Sequence, residues 1–293
     1  MKATGSHDNP IISGLFGFRR MMSAEIFAVG DELCYGRVYD TNSFWIADQV
    51  TKLGLIVNRI TCVRDDIEDL RRALRESLER SPRFIFITGG LGPTADDRTI
   101  EAIAKLVGRN VVTEVPILEE MAKRRGVPVE GLSPGLKSMA RTVEGAECLS
   151  NPVGWAPITV VTIGGTLLAA LPGPPKEMQG CFTTYLSKKV SDITGYRSMA
   201  HRVFITMYES EMSPLLEGLA RSFGGTYFKP LVGEYKQDIG LPMEIIVFGE
   251  SETVCKAKFG KLLSSLKQEV TAKGKSITYD PEPTHDTAGT GHA

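Results

Sequence analysis

Residues 88–99 read Thr88-Gly89-Gly90-Leu91-Gly92-Pro93-Thr94-Ala95-Asp96-Asp97-Arg98-Thr99, three glycines running into a pair of carboxylates. Glycines remove the side chains that would block close approach, and successive backbone N–H groups at a strand-to-helix turn form an anion-binding nest backed by the helix N-terminus. Phosphate is the natural guest. The spacing matches neither the Walker loop nor the dinucleotide G-x-G-x-x-G fingerprint, which argues against kinase-like and Rossmann dehydrogenase chemistry. The bland alternative is a tight turn in which Asp96 or Asp97 caps the following helix.

Two further clusters carry acid groups. Gly30-Asp31-Glu32-Leu33 precedes Asp40-Thr41-Asn42, and Val63-Arg64-Asp65-Asp66-Ile67-Glu68 lies some thirty residues on. Asp31, Glu32 and Asp40 are candidates for metal or ribose contacts, although Asp40 or Thr41 also reads as a helix start. Asp65 with Glu68 fits a capping box as well as a site. Two unit charges about 4 Å apart repel by about 4 kcal/mol at an effective dielectric of about 20, so carboxylates beside a phosphate call for a divalent cation. Mg²⁺ or Co²⁺ on Asp65, Asp96 and Asp97 is expected, with K⁺ as a further candidate. A third loop, Leu171-Pro172-Gly173-Pro174-Pro175-Lys176-Glu177-Met178, either places Lys176 or Glu177 over the ligand or simply starts a helix. The histidines are His7, His201, His285 and His292. None lies in the phosphate-loop region, which argues against Ser-His or Cys-His catalysis.

Alternating patterns must position these loops. Strands are predicted at 24–29, 55–62 and 84–88, with helices at 42–53, from Ile67, and from Ile100. Strand-helix alternation implies a parallel sheet with helices on both faces. Helices follow at 116–125 and 133–141. Apolar runs 158–163 and 166–171, joined by Gly164-Gly165, read as a hairpin adding an antiparallel edge. A helix over 176–190 closes this part. Beyond it come strands at 202–207, 226–229 and 243–248, with helices at 211–222 and 252–273. The expected organisation is a flexible leader (1–22), an α/β domain (23–192), a small α/β domain (199–278) and a disordered tail (279–293).

Composition excludes several classes. The 34 basic and 35 acidic residues nearly cancel, so no field draws the chain to nucleic acid or an anionic membrane. Neither partner is expected; a small molecule is. Five cysteines stand scattered without a C-x-x-C pair, which fits a reducing cytoplasm and argues against zinc or disulfide frameworks.

Taken together, Gly30-Asp31-Glu32-Leu33, Asp40-Thr41-Asn42, Gly89-Gly90-Leu91-Gly92-Pro93-Thr94 with Asp96, Asp97 and Thr99, and the Pro172-Gly173 loop resemble the molybdopterin-binding (MoaB/Mog-like) superfamily, in particular its CinA-like branch. The resemblance covers about residues 23–190. It implies a three-layer α/β/α domain, with a mostly parallel sheet and a following small KH-type domain. It further implies that Gly30, Asp31, Glu32, Asn42, Thr88, Gly89, Gly90, Leu91, Gly92, Pro93, Thr94, Thr99, Pro172 and Gly173 contact a nucleotide or molybdopterin-like ligand. Asp97 and Asp65 match positions that carry catalysis in relatives. The activity implied is divalent-metal-dependent cleavage of ADP-ribose to AMP and ribose 5-phosphate. Molybdenum-cofactor adenylyl transfer and non-catalytic nucleotide binding are the alternatives. A homo-oligomer, a dimer first, is expected. The C-terminal amidase domain of many CinA proteins, which deamidates nicotinamide mononucleotide, is not expected here. Gly224-Gly225-Thr226-Tyr227 departs from the G-x-x-G of RNA-binding KH domains.

Overall fold

The computed structural model describes residues 21–279. Residues 1–20 and 280–293, expected as leader and tail, lie outside the described residues. The described residues form two compact units, one from Met22–Thr51 and Leu55–Ile193, the other from 194–279 together with Lys52–Gly54.

The first unit opens with β1 (Ser23–Val29), α1 (Asp31–Cys34), α2 (Thr41–Lys52), β2 (Ile56–Val63), α3 (Ile67–Glu79), β3 (Phe84–Thr88) and α4 (Thr99–Val107). It continues through β4 (Val111–Thr113), α5 (Val115–Arg125), α6 (Pro134–Met139), β5 (Arg141–Val143), β6 (Glu147–Leu149), β7 (Ile158–Ile163) and β8 (Thr166–Leu171). Last come α7 (Pro175–Cys181), a π-helical turn over Phe182–Leu186 and α8 (Ser187–Thr194).

The six-stranded sheet has the order β2-β1-β3-β8-β7-β6. Its first four strands run parallel, and β7 and β6 add the expected antiparallel side. β3 is apolar throughout because both its faces are covered. Alternation sends Phe84 and Phe86 to one face and Ile85 and Ile87 to the other. Leu70, Leu74, Ile100 and Ile103 from α3 and α4 pack with Ile85 and Ile87. On the opposite face the Phe86 ring lies 5.8 Å from that of Phe182, which Trp45 of α2 meets edge-on at 5.4 Å. The result is the three-layer α/β/α arrangement expected.

The helix predicted over 176–190 is interrupted by the π-turn, which seats Phe182 in that cluster. The three-residue strands β4, β5 and β6 and the single-turn α1 were not predicted, being too short to show a period.

Glu25 points from β1 into the interior, its side chain only 2% exposed, and meets Arg80 in a two-pronged pair at 2.7 and 2.6 Å. Burial alone would push this carboxyl up; hydrogen bonds and charge from Arg80 outweigh it and hold it below the usual range. Arg80→Met is expected to destabilise the unit by about 2 kcal/mol, below the roughly 3–5 for a fully buried pair, because the guanidinium is partly solvated. The pair's contribution is present above the unfolded glutamate pKa and fades as pH falls through the lower folded value. Urea unfolding at pH 7 and pH 4 should show a larger wild-type-to-variant gap at the former than at the latter.

The second unit holds β9 (Arg197–Ile205), α9 (Glu209–Ser222), β10 (Thr226–Pro230), β11 (Leu241–Gly249), α10 (Glu252–Ala272) and β12 (Ile277–Tyr279). Its sheet, β10-β11-β9-β12, is antiparallel throughout. Val203, Ile205, Met243 and Ile245 pack with Leu262 and Leu266 of α10. His201 is buried in this unit, stacked 3.7 Å from Phe259, and burial pushes its pKa down. It is a neutral core ring.

Candidate functional site

The chain leaves β1 towards β2 on one side, while β3 lies on the other. Strand order therefore reverses at the β1/β3 boundary, where open α/β sheets bind ligands beyond the strands' carboxyl ends. The loops after β1 and β3 flank this position.

Gly89 and Gly90 have φ of +103° and +65°. A Cβ on Gly89 would stand 2.1 Å from the Val29 carbonyl oxygen, and one on Gly90 would stand 2.2 Å from Thr99 Oγ1. Only glycine fits either place. Thr99 locks the turn, donating its hydroxyl to Gly89 O at 2.9 Å and its N–H to Gly90 O at 3.1 Å. Gly89 N–H is taken by Leu171 O. Among the described residues no hydrogen bond engages the N–H groups of Gly90, Leu91 or Gly92. These are the donors an anion would meet.

Asn42 ties the neighbouring loops together. Its Nδ2 donates to Thr88 Oγ1 at 2.9 Å and to Gly173 O at 2.7 Å, while Thr88 donates to Pro172 O at 3.0 Å. One side chain thus links the N-terminus of α2, the end of β3 and the Pro172-Gly173 loop.

The carboxylates divide into two groups. Asp31 and Asp65 clasp each other: Asp31 N–H donates to Asp65 Oδ2 at 2.9 Å, and Asp65 N–H to Asp31 Oδ1 at 3.4 Å. Arg64 grips Asp31 at 2.9 and 3.1 Å and lies over the Tyr35 ring. Hydrogen bonding from Arg64 holds the Asp31 carboxyl below the usual range. Asp65 is pushed the other way, by burial first and then by the charges of Asp31, Glu32 and Asp96, against the hydrogen bond from Asp31. Asp97 belongs to the second group. It accepts from Thr94 N–H at 2.8 Å and from the Thr94 hydroxyl, and lines a cleft with Gly90, Gly92, Glu101, Ser138 and Arg141. Arg141 pairs with Glu101 at 2.7 Å. The other oxygen, Glu101 Oε2, is buried with no hydrogen-bond partner among the described residues.

Several expectations change. Asp66, not Asp65, caps α3, accepting from Asp69 N–H at 2.8 Å. Glu68 turns instead to Lys105 and Arg71. The capping box is absent and Asp65 faces the site. Asp40 does cap α2, accepting from Ser43 N–H at 2.9 Å. Neither Asp96 nor Asp97 caps α4, whose N-cap is Arg98. Glu177 does not reach over the ligand loops; it accepts from Asn151 Nδ2 at 2.7 Å and braces the turn at Gly154 and Trp155.

Among the described residues no group of three or more His, Cys, Asp or Glu side chains could hold a metal. Asp65, Asp96 and Asp97 therefore do not close into one three-carboxylate centre: Asp96 and Asp97 both bond to Thr94, while Asp65 is clasped with Asp31 on the other side of the loop. A Mg²⁺ ion, which proteins commonly hold by one or two carboxylates with water in its remaining positions, would have Asp65 or Asp96 as its ligands here. Sequence reasoning missed Arg64, Glu101 and Arg141 as site residues. Arg64 adjoins Asp65, and Glu101 lies in the first turn of the helix that follows the glycine loop, so both carried a signal. Arg141 comes from a short strand that carried none.

The family model described as a probable molybdopterin-binding domain matches residues 25–192, more than half the chain. The chain belongs to the molybdopterin-binding family. Within that family it is CinA-like. It is 32% identical over 262 residues to a putative competence-damage inducible protein of Shouchella clausii, a match that covers 86% of this chain and 63% of that one. A Pyrococcus furiosus protein is 35% identical over 244 residues, covering 80% of this chain and 93% of its own. The crystal structure of CinA from Thermoplasma acidophilum, described as of unknown function, aligns with a TM-score of 0.55 at 33% identity, covering 58% of this chain and 99% of that one. The family read from the sequence motifs is the one the comparisons give. Among the described residues no helix is long and apolar enough to cross a membrane.

Proposed function

We propose that the first unit is a divalent-metal-dependent nucleotide pyrophosphatase that cleaves ADP-ribose, or a similar dinucleotide, to AMP and ribose 5-phosphate. The observation carrying this reading is the pairing of free N–H groups at Gly90, Leu91 and Gly92 with carboxylates on both sides of one switch point. The N–H groups would take the diphosphate oxygens, with Thr94 and Thr99 fixing the loop. Asp65 and Asp96 would hold the cation, Mg²⁺ or Co²⁺, which when bound neutralises the phosphates and polarises the phosphorus. Asp65, beside the cation, is the group placed to accept a proton from the attacking water. The water oxygen forms the new P–O bond, the bridging P–O bond breaks, and one proton passes to Asp65. Asp97 keeps the loop in the shape that presents its N–H groups.

Incubation with ADP-ribose in Mg²⁺ or Co²⁺, with K⁺ present, is expected to give AMP and ribose 5-phosphate in equal amounts, and a chelator to stop it. Equal rates with and without chelator would overturn the metal-dependent mechanism. The family's description supports a second reading, a molybdopterin-binding or adenylyl-transfer protein of molybdenum-cofactor biosynthesis. Tight pterin or adenylate binding without AMP release would put that reading first. Nucleotide binding with neither outcome would indicate a binding protein. A cytoplasmic homodimer belongs to the same proposal, and gel filtration tests its oligomeric part.

A further inference from the structure

Cys34 and Cys62 are 28 positions apart in sequence, yet their sulfurs lie 3.3 Å from each other and both residues are exposed. The backbone brings them together. Cys62 stands opposite Ala28 in the parallel β1–β2 register, and Gly30 N–H donates to Val63 O at 3.1 Å, so the single turn of α1 folds back onto the end of β2. A disulfide needs its sulfurs about 2.05 Å apart, so each must move by less than about 1 Å. The remaining cysteines do not share this arrangement, Cys181 and Cys255 being buried and Cys148 half-buried.

We propose that Cys34 and Cys62 are a reversible dithiol–disulfide site that takes a low-molecular-weight disulfide as its oxidant and, once closed, staples α1 to β2. The staple joins the two segments that carry the Asp31–Asp65 clasp: Cys34 ends the turn that Asp31 begins, and Cys62 precedes Arg64 by two residues. The Arg64 guanidinium is within electrostatic reach of Cys34. Desolvation and the Cys34 thiol beside it push the Cys62 thiol up to about 12, so Cys62 is assigned the second, intramolecular attack. In the first step Cys34 sulfur, losing its proton, attacks R–S–S–R; a Cys34–S–S–R bond forms, the R–S–S–R bond breaks and one R–SH leaves. In the second, Cys62 sulfur, losing its proton, attacks Cys34 sulfur and the second R–SH leaves. Two thiols are oxidised and one disulfide is reduced to two thiols.

The test uses the full chain and oxidised glutathione, with titration of free thiols and peptide mapping by mass spectrometry. The five thiols of the reduced protein should fall by two, with a mass loss equal to two hydrogens, a linked Cys34–Cys62 peptide and full recovery in dithiothreitol. Cys62→Ser should instead hold glutathione on Cys34 as a stable mixed disulfide, and Cys34→Ser should form neither product. An unchanged thiol count in folded wild-type protein would overturn the proposal, as would a mixed disulfide on wild-type Cys34 that never resolves. None of these readouts requires turnover of ADP-ribose, so the result stands apart from the proposed function.

Discussion

Asp65→Asn is expected to lower kcat for ADP-ribose cleavage by about 10²–10⁴-fold, the usual contribution of a positioned general base. The amide keeps an oxygen to accept from Asp31 N–H but cannot take a proton from water. The wild-type rate should fall as pH drops through the Asp65 pKa, which burial and the charges of Asp31, Glu32 and Asp96 raise in the metal-free protein and a bound cation draws down, so the acid limb should move to lower pH as Mg²⁺ is raised. The same shift acts on stability. A carboxyl with a raised folded pKa lends stability that is fully present below its unfolded pKa and lost as pH rises through the folded value. Near neutrality Asp65 is therefore ionised at a cost to folding, and Asp65→Asn should raise Tm while removing activity. A pH–rate profile and a thermal melt at pH 7 check both halves. A variant that keeps its kcat would remove Asp65 from the mechanism.

Asp97→Ala is expected to lose at least about 10²-fold in kcat/KM, the scale of a roughly 1 Å misplacement in a site built on orientation. The reason lies in the loop. Asp97 holds both the N–H and the hydroxyl of Thr94, and without it the turn keeps only the backbone bond from residue 97 N–H to Thr94 O and the Asp96 side chain on Thr94. Asp97→Asn separates shape from charge, since its carbonyl oxygen can still accept from Thr94 N–H. If the asparagine variant retains most of the activity, Asp97 serves as a strut for the loop. If it falls as far as the alanine variant, the negative charge itself is required.

Much of this arrangement is written in local pattern. β3 and the β7–β8 pair lie within the residues predicted, because uninterrupted apolar runs ending at Gly89 or meeting at Gly164-Gly165 leave little freedom. Helices α2 to α5 begin and end within a few residues of their expected limits for the same reason. The site was legible as a set of loops but not as a set of contacts. Asp65 and Asp66 are chemically identical neighbours, and nothing in the sequence says which one turns to cap α3; the direction of the chain leaving β2 decides it. The helix after the Pro172-Gly173 loop has an ordinary apolar pattern that hides the π-turn at Phe182. Arg141 reaches Glu101 only because β5 pairs with β4, and each of these strands is three residues long. The Cys34–Cys62 approach depends on α1, a single turn that leaves no periodic trace.

Asn42 makes the site's stiffness depend on one amide group. Three segments distant in sequence share its hydrogen bonds directly or through Thr88, so they should loosen in concert rather than one by one. Backbone amide exchange at Gly89, the Gly173 loop and the first turn of α2 would then report one opening event with one shared rate. On the proposed function, a ligand arriving at Gly90–Gly92 would meet a surface whose ordering entropy was spent when the chain folded, leaving its binding energy available for discrimination among phosphorylated compounds.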